Sequence, residues 1–251
     1  MQAPTHRHWH LFCRVIDNFG DIGVAWRLAS QLAGHGQSVT LWVDDASALA
    51  WMTPSGQPGV VVQPWPEALT DADWPTQPCV VVELFGCELP TCAQQRIAQH
   101  VQPLCWINLE YLSAEGYVAR SHGLRSPVMS GPASGRDKWF FSPGFTPETG
   151  GLLRETGLMR AREDFEPQAW RQKHGSKAQA DALWLSLFCY EPPALGAMLD
   201  TLDHTHALLI TPGRAERAVS QHAGLGFWPH SWQLLAQRSQ AEFDRLLWAC
   251  D

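Results

Sequence analysis

The run Cys79–Phe85, CVVVELF, restricts the fold more than any other segment of the chain. It is a near-continuous apolar stretch, and strands of that kind are covered on both faces, as in parallel sheets flanked by helices. Other segments repeat the theme. HLFCRVI, SVTLWVDD and PLCWINLE read as strands, while VAWRLASQLAGH, ALAWM and PTCAQQRIAQH read as helices. In the first of these helices Val24, Leu28 and Leu32 recur every four residues, which predicts one buried face, and Gly34 or Gly36 is placed to end it. The alternation from Trp9 to about Glu110 predicts a doubly wound parallel sheet.

Between Ser113 and Gly151 the pattern breaks into a stretch rich in glycine, proline and aromatic residues, SHGLRSPVMSGPASGRDKWFFSPGF, read as loop-rich and near a cleft. A charged, helical segment follows. A second α/β alternation opens at DALWLSLFCYE and continues through PPALGAMLDTL, HALLIT, SWQLL and the amphipathic AEFDRLLWAC. The expected organisation is an N-terminal Rossmann-like domain over 1–151, a helical bridge over 152–180 and a partial C-terminal Rossmann-like domain over 181–251. The second half offers three strand-like runs where a sheet usually has about five, so it is expected to be incomplete.

Composition narrows the function. With 45% apolar and 17% charged residues the 251-residue chain can bury a sizeable core. A net charge of −7 and no Lys/Arg run argue against nucleic acid or an acidic membrane as partner, since both are bound through basic surfaces. No window approaches the roughly 20 apolar residues of a membrane span, and the start of the chain lacks the pattern of a secretion signal. Seven scattered cysteines, several inside strand-like runs, suit a reduced cytoplasmic chain. The 13 tryptophans are divided between core and contact surface, in proportions that composition leaves open.

The chemistry concentrates in Asp17-Asn18-Phe19-Gly20-Asp21-Ile22-Gly23, between a first strand and a first helix. Ligands of doubly wound sheets bind outside the carboxyl ends of the strands. The glycines and carboxylates here do not form the G-x-G-x-x-G run of dinucleotide enzymes, and carboxylates would repel a pyrophosphate. They suit a cationic or hydroxylic acceptor whose proton is removed. Helix capping by Asp17 and Asp21 is the structural alternative. Phe188 and Tyr190, after the first strand of the second half, stand where a nucleotide base stacks, although ordinary core aromatics have the same pattern. His6, His8 and His10 alternate but lie at the chain start without carboxylate or cysteine support, so they are expected to be solvated rather than metal-bound. No Ser/Cys-His nucleophile pattern or Walker loop is present.

CRVIDNFGDIGVAWRLASQLA, WINLEYLSAEGYV, FFSPGFTPETGGLLRE, SLFCYE and FDRLLWACD together resemble, in this order, the EarP family of protein-arginine rhamnosyltransferases, which modify elongation factor P. The likeness runs from about Trp9 to Asp251. It implies a GT-B glycosyltransferase of two Rossmann-like halves that moves L-rhamnose from dTDP-β-L-rhamnose to an arginine of elongation factor P, with inversion. On the family's pattern Asp21 matches the general base and Asp17 a supporting acid. Phe19, Gly20 and Gly23 fall in a sugar-facing loop, while Phe188, Tyr190 and Gln240 match positions that contact the dTDP moiety. No metal and no cofactor beyond the sugar donor is implied. Family members continue past the FDRLLWACD block into a segment that grips the diphosphate. Impaired turnover is therefore expected of these 251 residues, the alternative being a non-catalytic module that still docks elongation factor P.

Overall fold

The computed structural model describes residues 6–16, 19–174, 181–190, 193–223 and 228–251. They fall into two compact units, one comprising 1–50 with 55–156, the other 51–54 with 157–251. In chain order the first stretch carries β1 (His8–Cys13), α1 (Gly20–Gly34), β2 (Ser38–Val43), α2 (Leu49–Met52), β3 (Val60–Pro64), β4 (Cys79–Leu84), α3 (Thr91–Gln99), β5 (Leu104–Leu109), α4 (Val118–Ser121), β6 (Arg125–Pro127) and β7 (Asp137–Phe141). The second carries α5 (Leu158–Glu163), α6 (Pro167–His174), β8 (Leu183–Leu187), α7 (Leu195–Leu199), β9 (His206–Ile210), α8 (Arg214–Ala223), β10 (Trp232–Leu234) and α9 (Gln240–Trp248).

The first unit is built on a seven-stranded sheet in the order β3-β2-β1-β4-β5-β7-β6, parallel except for β6 against β7. All six residues of β4 are buried, as its apolar run requires of a central strand. Right-handed crossovers that leave β1 and β4 in opposite directions put their helices on opposite faces. α3 drives Ala93 and Ile97 into a cluster with Phe12, Trp42, Val81 and Trp106.

α1 begins earlier than its apolar periodicity suggests, because Gly20, Asp21, Ile22 and Gly23 form its first turn. Its buried stripe is Ile22, Ala25, Trp26 and Ala29, and Val24, Leu28 and Leu32 are only partly covered. The i, i+3, i+4, i+7 spacing of the buried set is that of a helix lying on a sheet, with small alanines allowing close approach.

The stretch 113–151 is loop-rich as expected, but it also holds two short strands: DKWFF forms β7, seated beside β5, and RSP forms the antiparallel edge strand β6. Its glycines and prolines lie around these short strands and mask them. Of the histidines at the chain start, His6 is exposed as expected, but the other two are not part of a solvated tail. His8 and His10 belong to β1; His10 has no exposed surface and stacks on Trp74 with ring centroids 4.0 Å apart.

The second unit has a three-stranded parallel sheet, β10-β9-β8. Alternate residues of β9 feed two cores. Ala207 and Leu209 join Trp170, Trp184 and Leu246 on one face, and Leu208 and Ile210 join Leu199, Val219 and Trp232 on the other. Trp170 of α6 thus packs within this unit. Trp26, Trp42, Trp74, Trp106, Trp170, Trp184 and Trp232 are all buried, so much of the tryptophan content is core. Among the described residues no cysteine is joined in a disulfide, and no helix is long and apolar enough to cross a membrane.

Candidate active site

In the first unit β1 and β4 are neighbours, but β1 leads through α1 to β2 on one side, while β4 leads through α3 to β5 on the other. Their carboxyl ends diverge there, leaving the crevice in which open α/β sheets bind ligands. Asp21 lies in that crevice. It stands in the first turn of α1, 1% exposed, yet the cap position is Phe19, which makes no side-chain capping bond to the helix. The carboxylate turns back toward the end of β1, where the Ile16 backbone N–H donates to Oδ2 at 2.9 Å. The Tyr111 hydroxyl donates to Oδ1, also at 2.9 Å. The two donors hold the two oxygens in place.

Tyr111 follows β5 and lies flat on Phe85, the residue after β4, with centroids 4.1 Å apart and planes 7° from parallel. Phe85 and Glu88 adopt left-handed backbone, φ 56° and 50°, conformations that cost a side-chain-bearing residue free energy. The turn is tied down on several sides. Phe85 N–H donates to the Leu109 carbonyl at 2.7 Å. Glu88 N–H donates to Glu83 Oε1 at 3.1 Å, and Lys138 Nζ donates to Glu83 Oε2 at 3.1 Å. Glu83 is 2% exposed, and Lys138 lies over the rings of Trp106 and Phe140. Next to it on the sheet, the buried Asn108 donates its amide to Glu110.

The thiols nearby are poor nucleophiles. Burial pushes the Cys13 thiol far up, with the Asp21 charge adding to the effect, and burial followed by the Glu83 charge pushes Cys87 up to about 12. Neither supplies thiolate near neutral pH. A buried carboxylate held by two hydrogen-bond donors is arranged for accepting a proton or orienting a cation. Among the described residues no group of three or more His, Cys, Asp or Glu could hold a metal ion.

The second unit carries its own cluster. Phe188 and Tyr190 follow β8 and are 75% and 46% exposed, which rules out the core-aromatic alternative. Their rings meet edge to face at 5.6 Å, and the Arg214 guanidinium lies 5.0 Å above the Tyr190 ring. Arg214 opens α8, so an exposed pair of aromatic rings, a cation and a helix start are grouped together. Gln240, half-buried, opens α9.

The structure therefore brings Phe19, Gly20, Asp21 and Gly23 together in the first turn of α1, with Gly20 exposed and Gly23 buried. Asp17 lies outside the described residues. Sequence reasoning missed Tyr111, Phe85, Glu83, Lys138 and Arg214. Polar or aromatic residues just past an apolar strand run, as in ELF and NLEY, are the signal that marks the first three.

The family model described as Elongation-Factor P (EF-P) rhamnosyltransferase EarP matches residues 9–251. A protein-arginine rhamnosyltransferase of Pseudomonas putida is 43% identical over 97% of this chain, and the match covers 70% of that protein. Its Pseudomonas aeruginosa counterpart is 38% identical with the same coverage. A solved structure described as the structural basis for EarP-mediated arginine glycosylation of translation elongation factor EF-P is 32% identical, with a TM-score of 0.54. That match covers 97% of this chain and 65% of the solved one.

Proposed function

The chain belongs to the EarP family of protein-arginine rhamnosyltransferases, and on that premise we propose that it serves transfer of L-rhamnose from dTDP-β-L-rhamnose to an arginine of elongation factor P, with inversion at the anomeric carbon. The observation that carries this reading is the buried Asp21 carboxylate, held by two donors at the switch point of a parallel sheet.

An arginine side chain is a poor nucleophile because it stays protonated, with a pKa above about 12, and its nitrogen lone pairs are delocalised. A carboxylate orients the guanidinium through charge-assisted hydrogen bonds and accepts a proton as the bond forms. The balance is simple. A guanidinium nitrogen forms a bond to the anomeric carbon, the bond from that carbon to the phosphate oxygen breaks, and dTDP departs with the electron pair. The proton lost by nitrogen passes to Asp21, and Asp17 is the supporting acidic residue of the family's pattern. One displacement inverts the centre without a covalent enzyme intermediate, which agrees with the depressed acidity of the nearby thiols.

The second unit's Phe188, Tyr190 and Arg214 suit the nucleotide: rings for thymine and a cation for phosphate. Gln240 joins this set, and Phe19, Gly20 and Gly23 face the sugar. We place the two units in a GT-B architecture and the reaction, which needs no metal ion in this scheme, in the cytoplasm, where the translation factor is found.

The test replaces Asp21 by Asn, which keeps shape and removes basicity. Transfer to elongation factor P is expected to fall by about 10²–10⁴-fold while the far-ultraviolet circular dichroism is unchanged. Full transfer by Asp21→Asn would remove Asp21 as the base.

A further inference from the structure

We propose that Tyr111 is a positioning residue that aims the Asp21 carboxylate, and that the left-handed turn at Phe85 keeps Tyr111 in place. The inference rests on the reading of Asp21 as the base.

Tyr111 is half-exposed, yet its hydroxyl reaches a carboxylate that is almost wholly buried. An exposed phenol on a loop has rotamer freedom that would let this bond lapse. What restrains it is the ring of Phe85 beneath it. The two residues meet because β4 and β5 are neighbours in register, Glu83 opposite Asn108 and Leu84 opposite Leu109, so both chains leave the sheet at the same level. For its ring to lie there Phe85 takes φ 56°, a conformation that glycine, asparagine or aspartate adopts more readily. A strained backbone at a candidate site is an observation from which function is inferred.

The restraint continues into the core. The Glu83 carboxylate receives the Glu88 N–H on one oxygen and the Lys138 ammonium on the other. A buried ion pair of this kind adds little net stability compared with apolar packing. Here it pins both ends of the turn that presents Phe85. On the far side, the Ile16 N–H fixes the second oxygen of Asp21. With both oxygens held, the carboxylate plane is set before an acceptor arrives, and such preorganisation favours the transition state more than the bound substrate.

Tyr111→Phe keeps the stack and removes the hydroxyl alone. It is expected to lower kcat by about tenfold to a hundredfold, with KM for the acceptor moving by less than about threefold. Phe85→Asn keeps a residue that tolerates the left-handed turn and removes the ring. It is expected to lower kcat in the wild-type background and to add little to Tyr111→Phe, because the hydroxyl it positions is already gone. Additive losses, or a rise in KM alone, would overturn the inference and leave a packing role.

A second arm needs no turnover. The chain has only three tyrosines, so ring-carbon NMR of labelled tyrosine resolves Tyr111 readily, with Tyr117 as internal reference. Asp21→Asn is expected to move the Tyr111 Cζ resonance and to leave that of Tyr117 in place. An unmoved Tyr111 signal sinks the proposal whatever the kinetics show. Loss of transfer in Asp21→Asn with wild-type kinetics in Tyr111→Phe removes the positioning role and spares the functional reading. Undiminished transfer in Asp21→Asn removes the functional reading itself.

Discussion

His10 shows how a single residue couples this fold to pH. It lies in β1 with no exposed surface, receives the Trp42 indole N–H at 3.3 Å and stacks on Trp74. Burial, and then the charges of His8 and His100, bring its pKa down from 6.5 to about 2. The unfolded chain therefore binds a proton below about 6.5 that the folded chain refuses down to about 2. Stability is complete above 6.5 and falls as pH is lowered through that window, by up to about 1.4 kcal/mol per pH unit for this one group. Denaturant titrations from pH 7 to pH 4 are expected to show that slope, and His10→Phe, which keeps the aromatic stack, should reduce it by about one proton. An unchanged slope would show that His10 is not the group responsible. At this scale the sequence was legible in part. Asp21 could be picked out because two carboxylates and two glycines crowd one βα turn. Tyr111 carries only the weaker signal of its place just past a strand run, and Arg214 carries none, since its role comes from a ring distant along the chain.

The elements are positioned by packing that periodicity only partly reports. α1 lies on the sheet through Ile22, Ala25, Trp26 and Ala29, a narrower set than its apolar residues suggest. The short β7 hides in a Gly/Pro-rich stretch and gains its place from β5. Its end leads into a closed loop in which Gly150 N–H donates to the Ser142 carbonyl at 2.9 Å. A Cβ at Gly150 would stand 2.6 Å from the Phe141 ring, which is itself set edge-on to His122 at 5.0 Å. Gly150→Ala should therefore displace that ring and cost about 1–3 kcal/mol. Gly151→Ala, with open space around it, should stay within about 0.5 kcal/mol of wild type. Thermal melts of the two variants check this, and equal midpoints would mean that the ring moves aside freely.

At the scale of the whole molecule the chain holds two α/β units with different chemistry at their loops. One presents a carboxylate under aromatic rings; the other presents exposed aromatic rings beside a cation. If the second holds the nucleotide, calorimetric titration with dTDP should show affinity about tenfold weaker for Phe188→Ala, the expected loss of one base-stacking ring. Equal affinity would move the base elsewhere. Sequence alone determined the class of fold, because continuous apolar runs between amphipathic helices admit few arrangements other than covered parallel sheets. It also determined family membership, which long ordered blocks carry. The tertiary structure decided which residues act together. Asp21, Phe85 and Tyr111 are dispersed in the chain and meet only because parallel strands carry distant loops to one edge of a sheet. It likewise decided that His10 of β1 is core and that Phe188 faces solvent. Burial depends on what packs over a residue, and the segments that do so lie far away in the sequence.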